Sequence, residues 1–462
     1  MGTDSTFHVV MYPWFAFGHL TPFLHLSNKL AERGHRISFL LPTKARAKLE
    51  AFNLHPDLIR FVPLVVPHVD GLPAGAETTN DVPLHLQPLI MSAMDRTQPD
   101  VEAALKDLKP DFIFFDFTHC IPPLARRLGI KSIQYCITSA ATIAYLLAPA
   151  SIKLEEGAQL SEDDLMHQPP GFPPSSSIKL HRHEARKMTF ITYREYGSGV
   201  SFHERITWAL RDSDAVCFRS CSEIEGPFCE YLEKQYGKIV LLSGPILPEP
   251  PTSSLEDRWA KWLDGFKAGS VVYCAFGSEC FLEKDQFQEL VLGFELTGLP
   301  FFVALKPPIG TETMEEALPE GFTERVRGRG VVEGGWVQQQ LILGHPSIGC
   351  FVSHSGWASL IESLVNQPQL VLLPYSGDQF VHARLMSGDL KVGVEVERRE
   401  EDGWFTRENV CKAVKMVMDE DNEVGREVRA NRLRLRDVFL KQGFDSSYID
   451  GFIEKLRTLI KQ

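Results

Sequence analysis

The sequence contains no apolar run long enough to cross a membrane, and its acidic residues outnumber its basic ones. A helical span needs about 20 consecutive apolar residues, and no segment of the 462-residue chain approaches that length. The formal net charge is -12, whereas surfaces that bind nucleic acid or anionic lipid need a basic face. We therefore exclude nucleic acid and membranes as main partners, and any phosphate site must be local.

Cysteine is present, but not in the patterns of metal sites. The nine cysteines lack paired zinc spacings and mostly lie in apolar stretches, as reduced, buried thiols do. The start, MGTDSTFHVV, has neither the basic nor the apolar region of a secretory signal. Its Gly2 and Thr6 fit a loose myristoylation pattern, but a frayed polar start is the interpretation we prefer. These features predict a cytoplasmic protein.

Signatures of several enzyme classes are also missing. No Gly-x-Gly-x-x-Gly follows a predicted strand, so the dinucleotide-binding fingerprint of oxidoreductases is absent. No Gly-x-Ser-x-Gly stands where a hydrolase nucleophile would need it. The segments 212–214, Asp-Ser-Asp, and 419–421, Asp-Glu-Asp, both match the short Asp-x-Asp metal pattern. The first precedes a predicted strand, and the second ends a predicted helix. We expect both to be solvated, and we expect no metal or other cofactor.

Apolar runs alternate with helical spacing along most of the chain. The runs that predict buried strands lie at 7–14, 37–41, 111–117, 130–136 and 214–220, and then at 270–276, 301–305, 348–353, 370–374 and 392–396. Such alternation predicts two α/β domains, each built on a doubly wound parallel sheet. Between them, Pro and Ser crowd together in residues 243–254, which disfavours both helix and strand. We place an amino-terminal domain at 1–242, a linker at 243–257 and a carboxy-terminal domain at 258–440.

Residues 336–379 carry the densest chemistry of the sequence. They begin at Trp336, pass through the run 354–359 with the sequence His-Ser-Gly-Trp-Ala-Ser, reach Glu362 and end at Asp378 and Gln379. This path resembles the signature segment of the plant family 1 UDP-dependent glycosyltransferases. The resemblance implies a GT-B fold, in which two Rossmann-like domains face each other across a cleft and a carboxy-terminal helix, 441–462 here, packs back on the first domain.

The resemblance also implies how a UDP-sugar donor is held. Trp336 would stack on uracil, the backbone of Val337 would read its edge, and Glu362 with Gln339 would bind ribose. A helix starting at Gly356 would offer its free N–H groups and positive dipole end to the diphosphate. The full set of donor-binding residues implied is Gly18, Thr138, Ser278, Trp336, Val337, Gln339, His354, Gly356, Trp357, Ala358, Ser359, Glu362, Tyr375, Asp378 and Gln379.

Simpler interpretations of these residues stay open. Trp336 alone could be a packed core aromatic, and Ser359 with Glu362 fits a capping box that satisfies a helix end. Two residues depart from the family pattern, because Ser355 replaces the usual Cys and Ala358 replaces the usual phosphate-binding Asn. The loss of that donor is expected to weaken diphosphate binding by roughly 1 to 3 kcal/mol unless backbone or water compensates.

The amino-terminal half offers a candidate base. His19 lies between the first predicted strand and the first predicted helix, at the edge of a parallel sheet where ligands bind. Family members use a His in this loop to take the proton of the acceptor hydroxyl. Asp116, at the end of the predicted strand 111–117, is our choice of orienting carboxylate. Asp111, which follows Pro110, is interpreted as a turn residue.

The implied reaction is an inverting, metal-independent transfer from a UDP-sugar, with UDP-glucose favoured by Gln379 and UDP-xylose or UDP-rhamnose as alternatives. Gly377 and the segments 218–226 and 388–409 resemble the clade that extends sugars already on flavonoids or terpenoids, so we expect a glycoside acceptor and a monomeric enzyme. Direct glycosylation of the aglycone, an epimerase and a non-catalytic UDP-sugar-binding protein are the alternatives. Candidate acceptor walls are Phe15, Phe17, Phe117, His119, Tyr145, Met188 and Phe190.

Overall fold

The computed structural model describes residues 6–247, 253–277 and 280–461. Two parallel β-sheets dominate it. The first has seven strands in the order β3-β2-β1-β4-β5-β6-β7, and the second has six in the order β10-β9-β8-β11-β12-β13. The predicted class, two doubly wound parallel α/β sheets, is confirmed. No helix within the described ranges is both long and apolar enough to span a bilayer.

The strands are mostly short and buried. They are β1 (His8–Tyr12), β2 (Arg36–Pro42), β3 (Ile59–Leu64), β4 (Phe112–Phe115), β5 (Lys131–Cys136), β6 (Ala215–Phe218), β7 (Ile239–Leu242), β8 (Val271–Ala275), β9 (Phe301–Ala304), β10 (Gly330–Glu333), β11 (Ile348–Ser353), β12 (Gln369–Leu372) and β13 (Gly393–Glu395).

Helices cover the sheets and connect successive strands. They are α1 (Phe17–Ala31), α2 (Arg46–Leu49), α3 (Gln87–Asp95), α4 (Gln98–Leu108), α5 (Ile121–Leu128), α6 (Ala140–Thr142), α7 (Ala148–Glu155), α8 (Glu162–Leu165), α9 (Arg182–Tyr193), α10 (Phe202–Asp212), α11 (Ser222–Tyr236), α12 (Asp257–Leu263), α13 (Lys284–Thr297), α14 (Met314–Ala317), α15 (Phe322–Arg325), α16 (Gln339–Leu343), α17 (Trp357–Leu364), α18 (Gln379–Arg384), α19 (Arg407–Met418), α20 (Glu423–Phe439) and α21 (Phe444–Ile460). One π-helical turn at Ile143–Leu147 joins α6 to α7, and another at Leu385–Asp389 follows α18.

Strand order reverses beside the first strand of each sheet. β1 lies between β2 and β4, and β8 lies between β9 and β11. At such a reversal the connections leave on opposite faces of the sheet, so a crevice opens at the carboxyl ends of the two central strands. The loops that follow β1 and β4, and those that follow β8 and β11, therefore meet in pairs. These are the loops that carry the candidate base and the candidate phosphate site.

The sequence patterns missed several elements. β3, β7 and β10 were not predicted, and the stretch from 154 to 203, in which the sequence shows no clear strand or helix pattern, contains the 12-residue helix α9. In its sequence, RHEARKMTFITY, the large apolar residues at 188, 190 and 191 follow a charged start. The apolar pattern therefore covers too few residues to show a clear helical period.

The last helix, α21, packs against the first sheet. Its residues Ile449, Phe452, Ile453 and Leu456 share a hydrophobic core with side chains of β1, β2, β4 and β5. The predicted division at 242, 257 and 440 stays a prediction, and residues 248–252 of the predicted linker lie outside the described residues.

Candidate active site

His19 and Asp116 are brought together at the reversal point of the first sheet. His19 lies in the first turn of α1, beside the exposed Gly18, and Asp116 directly follows β4. The His19 Nδ1 and Asp116 Oδ2 atoms are 2.5 Å apart, and the same oxygen accepts the Trp14 N–H at 3.3 Å. Because an ionised carboxylate only accepts hydrogen bonds, Nδ1 carries the proton. The other ring nitrogen, Nε2, is then the basic one.

The strand position of Asp116 decides between the two candidate carboxylates. Asp111 lies at the opposite end of β4, where its Oδ2 accepts the His8 N–H at 2.7 Å. Asp116 is 2% exposed, and its backbone oxygen accepts a hydrogen bond from Gln134. Asp116 is therefore the carboxylate that is held in a fixed position beside His19.

A cavity of about 220 Å³ opens beside this pair. Its lining combines hydrogen-bonding side chains, among them His19 and Asp116, with a larger number of apolar ones. The residues that line it are His19, Asp116, Phe117, Gln134, Cys136, Ile137, Thr138, Thr142, Ile143, Leu146, Leu147, Met188, Ile191, Thr192, Phe202, Ile206, Gly377 and Asp378. The cavity thus brings the His19–Asp116 pair together with many apolar side chains, as small-molecule sites do.

Of the residues predicted as acceptor walls, Phe117 and Met188 line this cavity. Phe15 does not, because it is fully buried in the core beneath β1. Tyr145 does not either, because its ring is buried and its hydroxyl donates to the Leu165 backbone oxygen at 2.5 Å. Aromatic residues beside strands pack into the core more often than they line a site.

Three further predicted wall residues lie away from the cavity lining. Phe17 is half-buried with the Lys48 ammonium 4.9 Å from its ring centre. His119 packs against Trp208, and burial lowers its pKa. Phe190 is 68% exposed, although it is on α9 between residues that do line the cavity.

Sequence reasoning missed most of the apolar wall. Ile191 and Thr192 lie three and four residues after Met188, which was predicted, on α9, and this spacing was the available signal that one helical face meets the cavity. Glu184, earlier on the same helix, is fully buried and accepts two hydrogen bonds from Arg384 at 2.9 and 3.0 Å. This ion pair fastens α9 to the second lobe.

The start of α17 is the candidate phosphate site. Its N-cap is Gly356, with no side-chain cap, so the first backbone N–H groups of the helix lack an internal acceptor. Ser359 is the third helical residue, and the capping-box interpretation of Ser359 is therefore wrong. Its Oγ instead accepts from Gln339 Nε2 at 3.3 Å. Ala358, in the first turn, is exposed.

The groups expected to bind ribose form one cluster. Gln339 Nε2 donates to Glu362 Oε2 at 2.8 Å, and burial raises the pKa of Glu362. Trp336, which precedes them, is 80% exposed while Val337 is 7% exposed. The core-packing interpretation of Trp336 is therefore wrong. An exposed indole beside an anchored backbone offers a flat face to a planar ring.

His354 fills the space between two glycines. A Cβ at Gly356 would lie 2.5 Å from His354 Nε2, and one at Gly277 would lie 3.3 Å from its Cε1. Burial lowers the pKa of His354 to about 4, so the ring is neutral at physiological pH. The glycines thus allow the two loops to close around a neutral imidazole. Ser278, a predicted phosphate contact next to Gly277, lies outside the described residues.

A hydrogen-bonded junction that includes residues of the cavity lining joins the two lobes. Thr138 Oγ1 donates to Asp378 Oδ2 at 2.6 Å. His382, fully buried and four residues after Asp378, has Nδ1 3.0 Å from the Ser355 backbone oxygen and accepts the Ser139 N–H at 3.3 Å. This arrangement fixes Nδ1 as the protonated nitrogen. The position of His382 on the Asp378 face of α18 was the signal that sequence reasoning overlooked.

The remaining predicted donor residues hold their own loop in place. Gln379 Oε1 accepts the backbone N–H groups of Tyr375 and Ser376 at 2.9 and 3.1 Å, which leaves the Gln379 amide hydrogens free to donate. Trp357 Nε1 donates to the Arg219 backbone oxygen at 3.0 Å, and this bond ties the start of α17 to the first lobe. Within the described ranges, no group of three or more His, Cys, Asp or Glu residues is arranged to hold a metal ion.

Comparison with known proteins agrees with this geometry. The family described as "UDP-glucoronosyl and UDP-glucosyl transferase" matches residues 328–434, and the family "Glycosyltransferase, N-terminal domain" matches residues 5–111. The chain is 59% identical to a cyanidin 3-O-galactoside 2''-O-xylosyltransferase of Actinidia chinensis var. chinensis, over 98% of this chain and 99% of the relative. It is 57% identical to an anthocyanidin 3-O-glucoside 2''-O-glucosyltransferase of Ipomoea purpurea, over 100% of both chains.

Solved structures share the fold at lower identity. UGT73P12 of Glycyrrhiza uralensis, complexed with glycyrrhetinic acid 3-O-monoglucuronide, is 23% identical with a TM-score of 0.80, over 98% of this chain and 96% of that one. A UDP-glucose: anthocyanidin 3-O-glucosyltransferase in complex with UDP is 24% identical with a TM-score of 0.76, over 99% and 100%.

Proposed function

Because this chain belongs to the family of UDP-glucosyl and UDP-glucuronosyl transferases, and is thus a UDP-dependent glycosyltransferase of GT-B fold, we propose that it extends the sugar of a flavonoid glycoside. The observation that carries this proposal is the cavity beside His19, whose lining combines hydrogen-bonding side chains with a larger number of apolar ones. A glycoside combines the same two chemistries, in its sugar and in its aromatic body. Two relatives that are 59% and 57% identical to this chain are named as 2''-O-glycosyltransferases of such glycosides, and we propose the 2''-hydroxyl here.

The proposed reaction is a single displacement with inversion at the donor. His19 Nε2 removes the proton of the acceptor hydroxyl as its oxygen attacks the anomeric carbon, and the bond from that carbon to the UDP oxygen breaks. Asp116, 2.5 Å from His19 Nδ1, stabilises the imidazolium that forms. The proton thus ends on His19, and the electron pair of the broken bond leaves on UDP.

The departing diphosphate gains negative charge, and the start of α17 supports its stabilisation. The uncapped N–H groups after Gly356 and the positive end of the helix dipole lie where that charge would develop. Neutral His354 adds a hydrogen-bonding group without a charge of its own. These donors support a reaction that needs no metal ion, and we propose metal independence on that basis.

Donor choice rests on the loop that ends in Asp378 and Gln379. The free amide hydrogens of Gln379 and the carboxylate of Asp378 are positioned to bind sugar hydroxyls, and Thr138 orients that carboxylate from the other lobe. We propose UDP-glucose as the first choice, with UDP-xylose and UDP-rhamnose as the alternatives to be compared.

We also propose a cellular compartment and an assembly state. All nine cysteines are free, and seven of them are buried, which fits a reducing environment such as the cytoplasm. We also propose that the enzyme acts as a monomer.

The test is a transfer assay with the purified protein. UDP-glucose, UDP-xylose and UDP-rhamnose are each offered with a flavonoid 3-O-glucoside, its aglycone and a terpenoid glucoside, with and without EDTA. The proposal expects a product one sugar heavier from the flavonoid glucoside, unaffected by EDTA and lost in His19→Ala. Product from the aglycone alone would contradict the glycoside acceptor, and consumption of donor without any acceptor would favour an epimerase.

A further inference from the structure

Gln134 lines the same cavity as His19 and Asp116 but has no part in the mechanism above. It is on β5, between Ile133 and Tyr135, whose side chains belong to the core on the other face of the sheet. Alternation along a strand therefore directs Gln134 to the cavity face. The side chain is 1% exposed, and it lines the same cavity as His19 and Asp116.

The orientation of the Gln134 amide follows from one hydrogen bond. Its Nε2 donates to the backbone oxygen of Asp116 at 3.2 Å. A carbonyl oxygen accepts but never donates, so the amide nitrogen has to face it. The carbonyl oxygen of Gln134, Oε1, is then the remaining polar atom of the side chain, and it is buried without a hydrogen-bond partner among the described residues.

A buried acceptor without a partner is unusual in a folded protein. Two hydroxyls of the cavity lining do have partners. Thr138 donates to Asp378 at 2.6 Å, and Thr142 bonds Ser139 at 2.8 Å. An unfilled acceptor at the wall of a binding cavity is suited to a ligand hydroxyl. Gln134 and His19 are also both fastened to Asp116, one to its backbone and one to its side chain.

From this arrangement we propose that Gln134 Oε1 accepts a hydrogen bond from the acceptor sugar, at the hydroxyl next to the one that is attacked. The inference rests on the proposed glycoside acceptor. When the 2-hydroxyl attacks, its neighbour at position 1 is the glycosidic oxygen, which cannot donate. The 3-hydroxyl is the neighbour that can. Gln134 is thus a specificity-determining residue that reads the 3-hydroxyl while His19 deprotonates the 2-hydroxyl.

The experiment compares a flavonoid 3-O-glucoside with its 3-deoxy-glucoside analogue in wild type and in Gln134→Met, which keeps the side-chain length and removes both polar atoms. We expect wild type to prefer the complete sugar by about 10-fold in kcat/KM, the effect of one buried hydrogen bond. We expect Gln134→Met to lose that preference. Equal use of both sugars by wild type would overturn the inference without any variant.

A purely structural role of Gln134 gives a different pattern. If the side chain only supports Asp116, Gln134→Met slows both acceptors by the same factor and the preference survives, which would overturn the inference. Gln369→Met is the matched control, because Gln369 is also a strand residue with a buried, unpartnered Oε1 but does not line the cavity. It is expected to keep the wild-type preference.

The outcomes also separate this inference from the proposed function. Transfer to both glucosides without preference refutes the role of Gln134 and leaves the proposed function standing. Transfer to the aglycone but to neither glucoside refutes both. Thermal unfolding of each variant, followed by circular dichroism, establishes that the compared proteins are folded.

Discussion

Replacing Asp116 by Asn removes one charge from the proposed catalytic pair and little else. The Asn oxygen can take the place of Oδ2, which accepts from His19 Nδ1 and from the Trp14 N–H. The orientation and the proton position of the His19 ring are thereby kept. What is lost is the attraction between the carboxylate and the imidazolium that forms during transfer.

The size of that loss follows from the geometry. Charge centres about 4 Å apart at an effective dielectric of about 20 attract by roughly 4 kcal/mol. The side chains of His19 and Asp116 are 17% and 3% exposed, so solvent screens part of this attraction. We take about 3 kcal/mol as the stabilisation that the substitution removes. Since about 1.4 kcal/mol is a factor of ten in rate, kcat is expected to fall by about 100-fold. The KM values and the melting temperature are expected to change little.

The assay is product formation at saturating donor and acceptor, measured for Asp116→Asn, His19→Ala and the double variant. If Asp116 acts through His19, the double variant is no slower than His19→Ala, because residues that act as a unit are not additive. Asp111→Asn, at the other end of β4 and bound to His8, is the control and is expected to keep the wild-type kcat. Multiplied losses in the double variant would refute the reasoning.

Three further predictions concern donor binding and stability. Trp336→Ala is expected to raise the KM for UDP-sugar by about 10-fold through lost stacking, with an unchanged melting temperature because the ring is 80% exposed; an unchanged KM would contradict the uracil role. Ala358→Asn adds a donor in the first turn of α17 and is expected to lower that KM by about 5-fold, measured by the same initial rates. Glu225 accepts the Ala141 N–H at 2.9 Å, and burial raises its pKa from 4.5 to about 7. The folded protein therefore binds this proton more tightly than the unfolded chain, and wild type loses stability as the pH rises from 4.5 to about 7. Urea titrations across this range should show Glu225→Gln gaining about 3 kcal/mol over wild type; a constant difference would contradict the shifted pKa.

His19 and Asp116 could each be chosen from the sequence, because each lies at the carboxyl end of a predicted strand and the family resemblance implies a base and a carboxylate there. Both residues follow strands that end at one edge of a parallel sheet, and the reversal of strand order brings those edges together. The same holds for the segment from Trp336 to Gln379, where loop, strand and helix succeed one another within a short span. Short-range patterns of this kind are visible in a single sequence.

The walls of the cavity could not be predicted in the same way. They come from the turn 143–147, from α9 and from α10, which are distant in sequence and meet only through packing between layers. Tyr145 illustrates the difficulty, since neighbouring residues of its π-helical turn line the cavity while its own hydroxyl bonds Leu165 in the interior. Such distinctions depend on the register of a helix against its neighbours.

Contacts between the lobes were also invisible in the sequence. The junction of Thr138 with Asp378 and the burial of Glu184 against Arg384 pair residues about 200 or more positions apart. Gln134 belongs to the same class, because an unpartnered oxygen is a property of its surroundings and not of its residue type.

The structure of the product, determined by NMR, tests the proposed transfer most directly. With UDP-glucose, whose anomeric configuration is α, and a flavonoid 3-O-glucoside, we expect a new β-linkage, with the new anomeric proton correlated to carbon 2 of the acceptor sugar. An α-linkage would contradict the single displacement driven by His19, and a correlation to a carbon of the flavonoid would contradict the glycoside acceptor.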